Sequence, residues 1–547
     1  MPSELLTGFA LVAVTALAAV VARRLWVPHS ILLVLLGVAL AFVPGLPRVT
    51  LDPEMVFLLL LPPLLYSSGV GMSWPGFRAN LQPILLLAIG CVLFTAAAVA
   101  SVAHALFGMT WAVGFVLGAV VSPPDAVAPM AIARRLAVPS RVLTVLEGEG
   151  LVNDATALIL FSFAVGAVVT GGVSIGNAAL GFAVIVAGET LWGLAVGWAL
   201  LRSRHLARDP QVEIVLALLT PYLAFWPPHM LHGSGVLATV AAGLYVSWNG
   251  PRFIAPATRL QGYFVWSLVV YLVEGMVFLL TGLQAHIVAT AIGVGNWKQP
   301  VLAGLVTCAV VVVVRFVWVF PGTYLPRWAS AALRAHDPIP PWQIPFLVGF
   351  TGIRGVVSLA AALSIPLTVG AAPFPDRDLV LFATFCVILV TLVGQGVALP
   401  WVIVRLGLAE AGRAEAAAAK RREVEARIVG IDAVLARLDA LEREGCLPAA
   451  ARILRQFHQE RRAEFVDTAD DAVPGSPVPA VAALQLQLIE AERRALALLY
   501  ASDGITDEAR RRIERELDLE DARTRHAAES ATGDAVREDP GAVGEAA

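Results

Sequence analysis

Charged residues are scarce in this chain. They make up 15% of its 547 residues, whereas a soluble domain carries roughly 25%, and 58% of the residues are hydrophobic. A soluble protein is excluded for most of the length, because apolar stretches of about 20 residues, enough to cross a hydrocarbon core of roughly 30 Å, recur from Leu5 to Leu406. The sequence therefore predicts an all-α membrane protein that crosses the bilayer many times.

The chain also contains few cysteines, and no basic residue precedes its first apolar segment. The four cysteines are Cys91, Cys308, Cys386 and Cys446. None pairs closely with another, which argues against a disulfide framework or a cysteine metal site. The first apolar segment, residues 5 to 21, lacks a preceding basic region and is instead followed by Arg23 and Arg24. It is therefore predicted to be a transmembrane helix and not a signal peptide.

Apolar length, interrupted by Gly, Pro and Arg, predicts about 13 spans. They are residues 5 to 22, 28 to 43, 54 to 70, 81 to 106, 111 to 137, 142 to 170, 178 to 201, 212 to 228, 234 to 248, 263 to 290, 299 to 324, 343 to 368 and 378 to 406.

Basic residues alternate between the predicted loops. Alternate loops hold 13 Arg residues, and the intervening loops hold only Arg48, Lys298 and Arg377. Cytoplasmic loops are enriched in Lys and Arg. The pattern predicts a multi-pass protein of the plasma membrane, with its N-terminus outside and its C-terminal tail in the cytoplasm.

The tail differs in composition from the membrane domain. Of the 39 Lys and Arg residues, only 18 precede residue 400. The expected domains are a membrane domain over residues 1–408 and a helical cytoplasmic tail over residues 409–547, with a linker at 467 to 481 and disorder after about Arg525. Regulation and dimer contact are alternatives to a simple solvated appendage.

Ionisable residues within the predicted spans are functional candidates, because burying charge in a bilayer costs several kcal/mol. They are Asp125, Glu147, Glu149, Asp154, Glu189, Glu213, Glu274, Arg315 and Arg354. Glu189, Glu213 and Arg315 lie on spans without a break and are the weaker candidates for direct function.

Asp125 lies in an otherwise apolar span between Pro123, Pro124 and Pro129. Prolines remove backbone donors and disfavour helix in the preceding residue, so a helix break is predicted here. Transporters place ion sites at such breaks, whereas a mere kink would not require a carboxylate.

The next span carries Glu149, Asn153 and Asp154. Glu149 and Asn153 share a helix face at i,i+4, and Asp154 lies about 100° further round. A carboxylate withdrawn from water can hold either a proton or a cation near neutral pH, and this competition is what antiport requires. Asp154 is the predicted carrier, whereas Glu149 suits a structural ion pair.

A second glycine-rich interruption surrounds Arg354, between Gly352 and Gly355. Because arginine does not deprotonate, Arg354 is expected to need a carboxylate partner, either Glu149 or Glu274. One break carries an acidic residue and the other a basic residue, as expected for an inverted repeat. In such a repeat the ends of the half-helices at the two breaks carry opposite partial charges, which side chains of opposite sign neutralise.

With these motifs the chain resembles the monovalent cation:proton antiporter-1 family, the sodium/proton exchangers of bacteria and animals. The resemblance covers about residues 5 to 406 and excludes the tail. The landmarks, in family order, are LPPLLYSSG at 61 to 69, SPPDAVAP at 122 to 129, GEGLVND at 148 to 154, HGSGVLATVAAGL at 232 to 244, EGMVFLLTGLQ at 274 to 284, GIRGVVSLAAALSIP at 352 to 366 and VTLVGQGVALP at 390 to 400.

The resemblance implies a 13-helix fold of the NhaA type, with two crossed interrupted helices, alternating access and a homodimer. It also implies that Asp154 carries the exchanged ion or proton, with Asn153 beside it and Asp125 at the crossing. An Asn before the carrier Asp resembles the electroneutral type. The expected substrates are protons and a monovalent cation bound at Asp154, with Na⁺ favoured and K⁺ as the alternative, and no cofactor or nucleic acid is expected.

The chain departs from the family at three positions. Ser67, Pro124 and Gly150 stand where relatives often carry Glu, Thr and Ser, side chains implicated as cation ligands. This leaves Asp154, backbone carbonyls and water, so the selectivity between Na⁺ and K⁺ stays open.

Two other classes of protein are disfavoured. A channel or uniporter needs a continuous pore, against which crossed broken helices with one carboxylate carrier argue. An intramembrane enzyme needs a metal or nucleophile constellation, and no His-Glu-x-x-His pattern or paired Gly-Asp motifs occur.

Overall fold

The computed structural model describes residues 2–25, 28–44, 52–172, 174–207, 209–231, 233–291, 297–444, 448–470, 478–501 and 507–532. Within these residues the fold is almost entirely helical. A hairpin of two short antiparallel strands, Thr368–Val369 and Ala372–Pro373, pairs Thr368 with Pro373. The all-α prediction is therefore confirmed at this level.

The helices of the membrane domain are numbered in chain order. They are α1 (Pro2–Leu25), α2 (His29–Ala41), α3 (Pro53–Met55), α4 (Leu61–Gly71), α5 (Trp74–Ala79), α6 (Leu81–Leu85), α7 (Val92–Phe107), α8 (Trp111–Val121), α9 (Val127–Arg135), α10 (Ser140–Thr170), α11 (Ile175–Ala207), α12 (Pro210–Met230), α13 (Val236–Phe253), α14 (Pro256–Leu283), α15 (Ala285–Ala291), α16 (Lys298–Ala329), α17 (Ala331–His336), α18 (Gln343–Phe350), α19 (Val356–Leu363), α20 (Arg377–Leu389) and α21 (Gly396–Arg405). Three π-helical segments, Val56–Leu60, Leu86–Cys91 and Val390–Gln395, join α3 to α4, α6 to α7 and α20 to α21.

Four further helices follow. They are α22 (Leu408–Arg443), α23 (Pro448–Asp470), α24 (Val478–Ala501) and α25 (Asp507–Thr532). The chain divides into two compact units, Met1–Glu415 and Ala416–Ala547. Helix α25 continues to Thr532, beyond the point where disorder was expected, and α23 and α24 take up both ends of the expected linker. Residues 471–477, in its middle, lie outside the described residues.

The predicted apolar segments all overlap helices. Seven helices of the described residues are long and apolar enough to cross a membrane, and three shorter apolar helices accompany them. The chain is therefore a polytopic helical membrane protein. Several boundaries differ by about five residues or more: α14 begins at Pro256, before the expected residue 263, and α11, α13 and α16 continue past their expected ends at residues 201, 248 and 324. Helix α19 ends at Leu363, before the expected residue 368, and the strand hairpin follows.

Two of the predicted segments are interrupted as proline and glycine chemistry requires. Residues 122–126 separate α8 from α9, and residues 351–355 separate α18 from α19. Pro123 and Pro124 lie in the first gap, where they donate no backbone hydrogen bond. Pro129, expected in the break, instead lies in the first turn of α9, a position at which its missing N–H costs nothing.

The start of α22 packs on the loop between α9 and α10. Leu408 is buried in the same apolar cluster as Val138 and Val142. Glu415 accepts hydrogen bonds from the backbone N–H and the hydroxyl of Ser140, the first residue of α10. Since Pro139, the N-cap residue of α10, makes no side-chain cap, Glu415 supplies the cap that this helix otherwise lacks.

Replacing Glu415 with alanine is expected to destabilise the membrane domain by about 1 kcal/mol, the usual contribution of an N-terminal cap. The measurement is the melting temperature of the detergent-purified protein, with Glu425→Ala, an exposed acid on the same helix, as the matched control. Equal melting temperatures for the two variants would show that Glu415 does not stabilise α10.

Candidate ion-binding site

The two interrupted helices cross at their breaks. The backbone N–H of Asp125, in the first break, donates to the carbonyl oxygen of Ile353, in the second, at 2.7 Å. Backbone outside a helix leaves N–H and C=O groups unpaired, and inside a bilayer these groups need partners within the protein. Here an N–H group of the first break is paired with a carbonyl group of the second. The crossing is therefore held by the main chain as well as by side chains.

Asp125 lies at the N-terminal ends of two half-helices. Its Oδ1 accepts from the N–H of Val127, the first residue of α9, at 3.0 Å. Gly355, directly before α19, packs against the carboxylate so closely that a Cβ there would lie 2.8 Å from Asp125 Oδ2. Helix N-termini carry partial positive charge, so this position favours an anionic side chain.

Arg354 binds at the C-terminal end of a half-helix, whereas Asp125 lies at N-terminal ends. Its Nε donates to the carbonyl of Val121 at 2.9 Å and a terminal nitrogen to that of Ser122 at 3.3 Å, at the C-terminus of α8. It also contacts the carbonyl of Gly352. The expectation of a carboxylate partner is wrong: within the described chain, the negative C-terminal end of α8 and the break's own carbonyls satisfy this cation.

Glu149 pairs with Arg315. The two side chains form a bidentate ion pair at 2.6 and 2.8 Å, and both are almost completely buried. Arg315 Nε also donates to Val348 O, in the last turn of α18, at 3.1 Å. Glu149 was rightly expected in an ion pair, but Arg315, ranked among the weaker candidates, is its partner in place of Arg354.

The signal for Arg315 was present in the sequence. A lone arginine in a span of valines and aromatics cannot deprotonate, so it requires an acceptor inside the protein. What the sequence lacked was a way to choose between two buried arginines for one glutamate. That choice depends on how α18 packs against both α10 and α16.

Asn153 and Asp154 face different surroundings. The amide nitrogen of Asn153 donates to the carbonyl of Pro124 at 2.7 Å, so this fully buried side chain ties α10 to the first break. Asp154 instead lines a cavity of about 450 Å³ that reaches the crossing. Asn153 and Asp154 therefore face different surroundings, as the rotation of about 100° per residue in an α-helix predicts.

Four acidic side chains line the cavity: Asp125, Glu147, Asp154 and Glu274. Glu274, on α14, has no cationic partner within 4 Å among the described residues, so the expected pairing with Arg354 is wrong here too. Arg134 and Glu147 pair at 2.8 Å in the wall of the same cavity. Because Arg134 is 60% exposed, the cavity reaches the protein surface at this end.

Glu189 and Glu213, the remaining candidates, lie outside this cavity. Glu189, on α11, accepts hydrogen bonds from the backbone N–H groups of Ser234, Gly235 and Leu237. These groups form the N-terminus of α13, so Glu189 acts as a buried helix cap. Glu213 is buried in the first turn of α12.

A crossing of two broken helices, neutralised by opposite charges and reached by an acidic cavity, defines a secondary ion transporter. The profile of the family described as "Sodium/hydrogen exchanger, transmembrane" matches residues 10–405. The chain belongs to this family of cation/proton antiporters, and it exchanges a monovalent cation for protons.

Individual relatives agree with the assignment. The chain is 35% identical over 525 residues to an uncharacterized Na⁺/H⁺ exchanger of Mycobacterium tuberculosis, covering 94% of each chain. It is 32% identical over 409 residues to a sodium, potassium, lithium and rubidium/H⁺ antiporter of Bacillus subtilis, covering 71% of this chain and 60% of that protein. The structure of the sodium proton antiporter MjNhaP1 from Methanocaldococcus jannaschii matches with a TM-score of 0.59 at 17% identity, covering 74% of this chain and 99% of that one. This last likeness concerns the fold alone.

Replacing Gly355 with alanine is expected to lower the exchange rate by about a hundredfold, the effect of moving a reacting group by roughly 1 Å. The added Cβ would lie 2.7 Å from the Cβ and Cγ of Asp125, so the carboxylate must move. Vesicle exchange rates measure the effect. The control is Gly166→Ala on α10, where the new methyl group meets nothing within 4 Å. Wild-type exchange by Gly355→Ala would mean that the position of Asp125 is not critical.

Proposed function

We propose that the chain is an electroneutral antiporter, and not an enzyme, that moves one monovalent cation against one proton by alternating access. Asp154 is the carrier in this proposal: it binds a proton or a cation, never both. The observation that supports it most directly is the position of Asp154 in the cavity at the crossing, whereas the neighbouring Asn153 is committed to Pro124.

The charges around the carrier favour a 1:1 exchange. Glu149 is neutralised by Arg315, and Arg354 is occupied by backbone carbonyls. Asn153 cannot titrate, so it adds no second proton to the cycle. Asp125 and Glu274 share the cavity, with Asp125 additionally committed to the crossing through Val127. The proposal therefore assigns the exchange of one proton for one cation to Asp154 alone.

The cavity corresponds to the inward-facing state in this proposal. Arg134 and Glu147 lie at its exposed end, and Arg134 belongs to the loops whose basic residues predict a cytoplasmic location. The protein would then cross the plasma membrane 13 times in an NhaA-like arrangement, with its N-terminus outside and its tail inside, and would act as a homodimer. Na⁺ is the favoured cation, and the Bacillus relatives, whose names include potassium, support K⁺ as the alternative.

The test uses proteoliposomes with an acidified lumen and a trapped pH indicator. Adding Na⁺, K⁺ or Li⁺ outside should dissipate the pH gradient for at least one cation, and liposomes without protein should keep it. The rate should not change when a membrane potential is imposed, because a 1:1 exchange moves no net charge. No response to any cation would overturn the proposed antiport, and a potential-dependent rate would overturn its stoichiometry.

A further inference from the structure

Ser358 has a buried hydroxyl for which the fold provides no partner. The residue is 2% exposed, lies in the first turn of α19 and lines the same cavity as Asp154 and Asp125. Its Oγ is buried and has no hydrogen-bond partner among the described residues. A buried hydroxyl without a partner is destabilising, so such a group calls for a specific explanation.

The helix break explains how the hydroxyl becomes available. Ser and Thr within helices commonly donate to a carbonyl three or four residues earlier, as Thr384 does to Val380 and Thr391 does to Val387. For Ser358 the carbonyl four residues earlier belongs to Arg354, which lies in the non-helical stretch before α19. Arg354 therefore lies outside the regular helix, and Ser358 Oγ makes no hydrogen bond to its carbonyl, while the residue borders the cavity.

Ser67, Ser68 and four acidic side chains also line the cavity, but two positions beside the first break add no free oxygen atom. The carbonyl of Pro124 already accepts from Asn153. Gly150 has no side chain, and a Cβ there would lie 2.6 Å from the Cβ of Ala126, so α10 has no room for a hydroxyl at this position. Asp125 Oδ2 is a second buried oxygen without a partner, and it too lies in the cavity wall.

We propose that Ser358 Oγ is a ligand of the transported cation, together with the carboxylates of Asp154 and Asp125. Monovalent cations of this kind leave water only where several oxygen atoms replace their hydration shell. A hydroxyl supplies lone pairs without a further negative charge, so it strengthens cation binding without adding a proton acceptor. This inference rests on the proposed antiport, and it concerns cation recognition at Asp154.

The proposal predicts a specific change in transport. Ser358→Ala should raise the cation concentration for half-maximal exchange about three- to tenfold, the effect of one lost polar contact. The maximal rate at saturating cation should fall much less, because the carrier carboxylate remains. Ser358→Thr, which retains the hydroxyl, should keep an affinity close to that of wild type.

The matched control is Ser364→Ala at the end of the same helix. The hydroxyl of Ser364 donates to Ala361 O at 2.8 Å and lies outside the cavity, so its loss should leave the half-maximal concentration unchanged. Binding is measured separately as the rise in melting temperature of the purified protein with added Na⁺ or K⁺, which depends on affinity and not on turnover. Ser358→Ala should need a correspondingly higher cation concentration for the same rise.

The outcomes separate the two proposals. If wild type exchanges no cation, the proposed antiport fails, and the thermal shifts of wild type and Ser358→Ala still decide whether Ser358 binds the cation. If wild type exchanges and Ser358→Ala matches it in half-maximal concentration and in thermal shift, Ser358 holds only water and the ligand proposal is wrong. A fall in maximal rate alone, equal for all cations, would assign Ser358 a structural role and would also overturn it.

Discussion

Replacing Asp154 with asparagine should reduce cation-driven proton movement to the level of protein-free liposomes. Asparagine has nearly the same shape but cannot release a proton or offer a negative charge to a cation. In the proposed mechanism both substrates reach this carboxylate, because Asp154 lines the cavity at the crossing. The measurement is the dissipation of a pH gradient on adding each cation, over the full range of concentrations.

The Asp154→Asn protein must be shown to be folded for this result to have meaning. Its melting temperature and yield should match those of wild type, because a neutral amide in a polar cavity leaves no buried charge. Asp378→Asn, an exposed acid in the first turn of α20, is the matched control and should retain exchange. Cation-driven exchange by Asp154→Asn at the wild-type rate would refute the carrier role.

Replacing Arg315 with methionine should destabilise the folded protein by about 3–5 kcal/mol, the usual effect of leaving one member of a buried ion pair without its partner. Glu149 would then be a buried carboxylate deprived of both donors that now hold it at 2.6 and 2.8 Å. The carbonyl of Val348, at the end of α18, would also lose its donor. The expected result is a lower melting temperature and a reduced yield of folded protein.

A double variant separates the ion pair from the general effect of a core substitution. Changing Glu149 to leucine together with Arg315→Met removes both charges, and apolar replacements for buried pairs are often tolerated. The double variant should therefore melt at a higher temperature than Arg315→Met alone. If the two losses simply add, the side chains do not stabilise each other, and the ion pair would not explain the charge balance of the crossing.

Composition and breaks were sufficient to predict the helical framework. The free energy of burying apolar side chains in a bilayer depends mainly on local sequence, which is why the predicted segments overlap the observed helices. Proline and glycine act equally locally, so both interruptions were placed correctly at Asp125 and Arg354. The end of α19 was misplaced because the apolar residues after Leu363 enter a loop and hairpin that local hydrophobicity does not distinguish from a helix.

The site shows the same division between local and long-range causes. That Glu149 and Arg354 would each need a partner inside the protein followed from the cost of burying an unpaired charge, whereas the place of Asp125 and Asp154 at the crossing was implied by the family resemblance. Which cation neutralises Glu149 did not follow, because residues 149 and 315 are brought together only by the packing of α10, α16 and α18. The partners of Arg354 did not follow for a similar reason, since the carbonyl groups at the C-terminus of α8 come within its reach only where the helices cross.

The local sequence therefore accounts for the membrane segments, their interruptions and the acidic residues within them, because each is decided over one helix turn or one span. The partners of the buried charges, the tie from Asn153 to Pro124 and the unpartnered hydroxyl of Ser358 arise only in three dimensions. Electrostatic and hydrogen-bond energies act over a few ångströms, and the fold alone decides which distant residues come within that range.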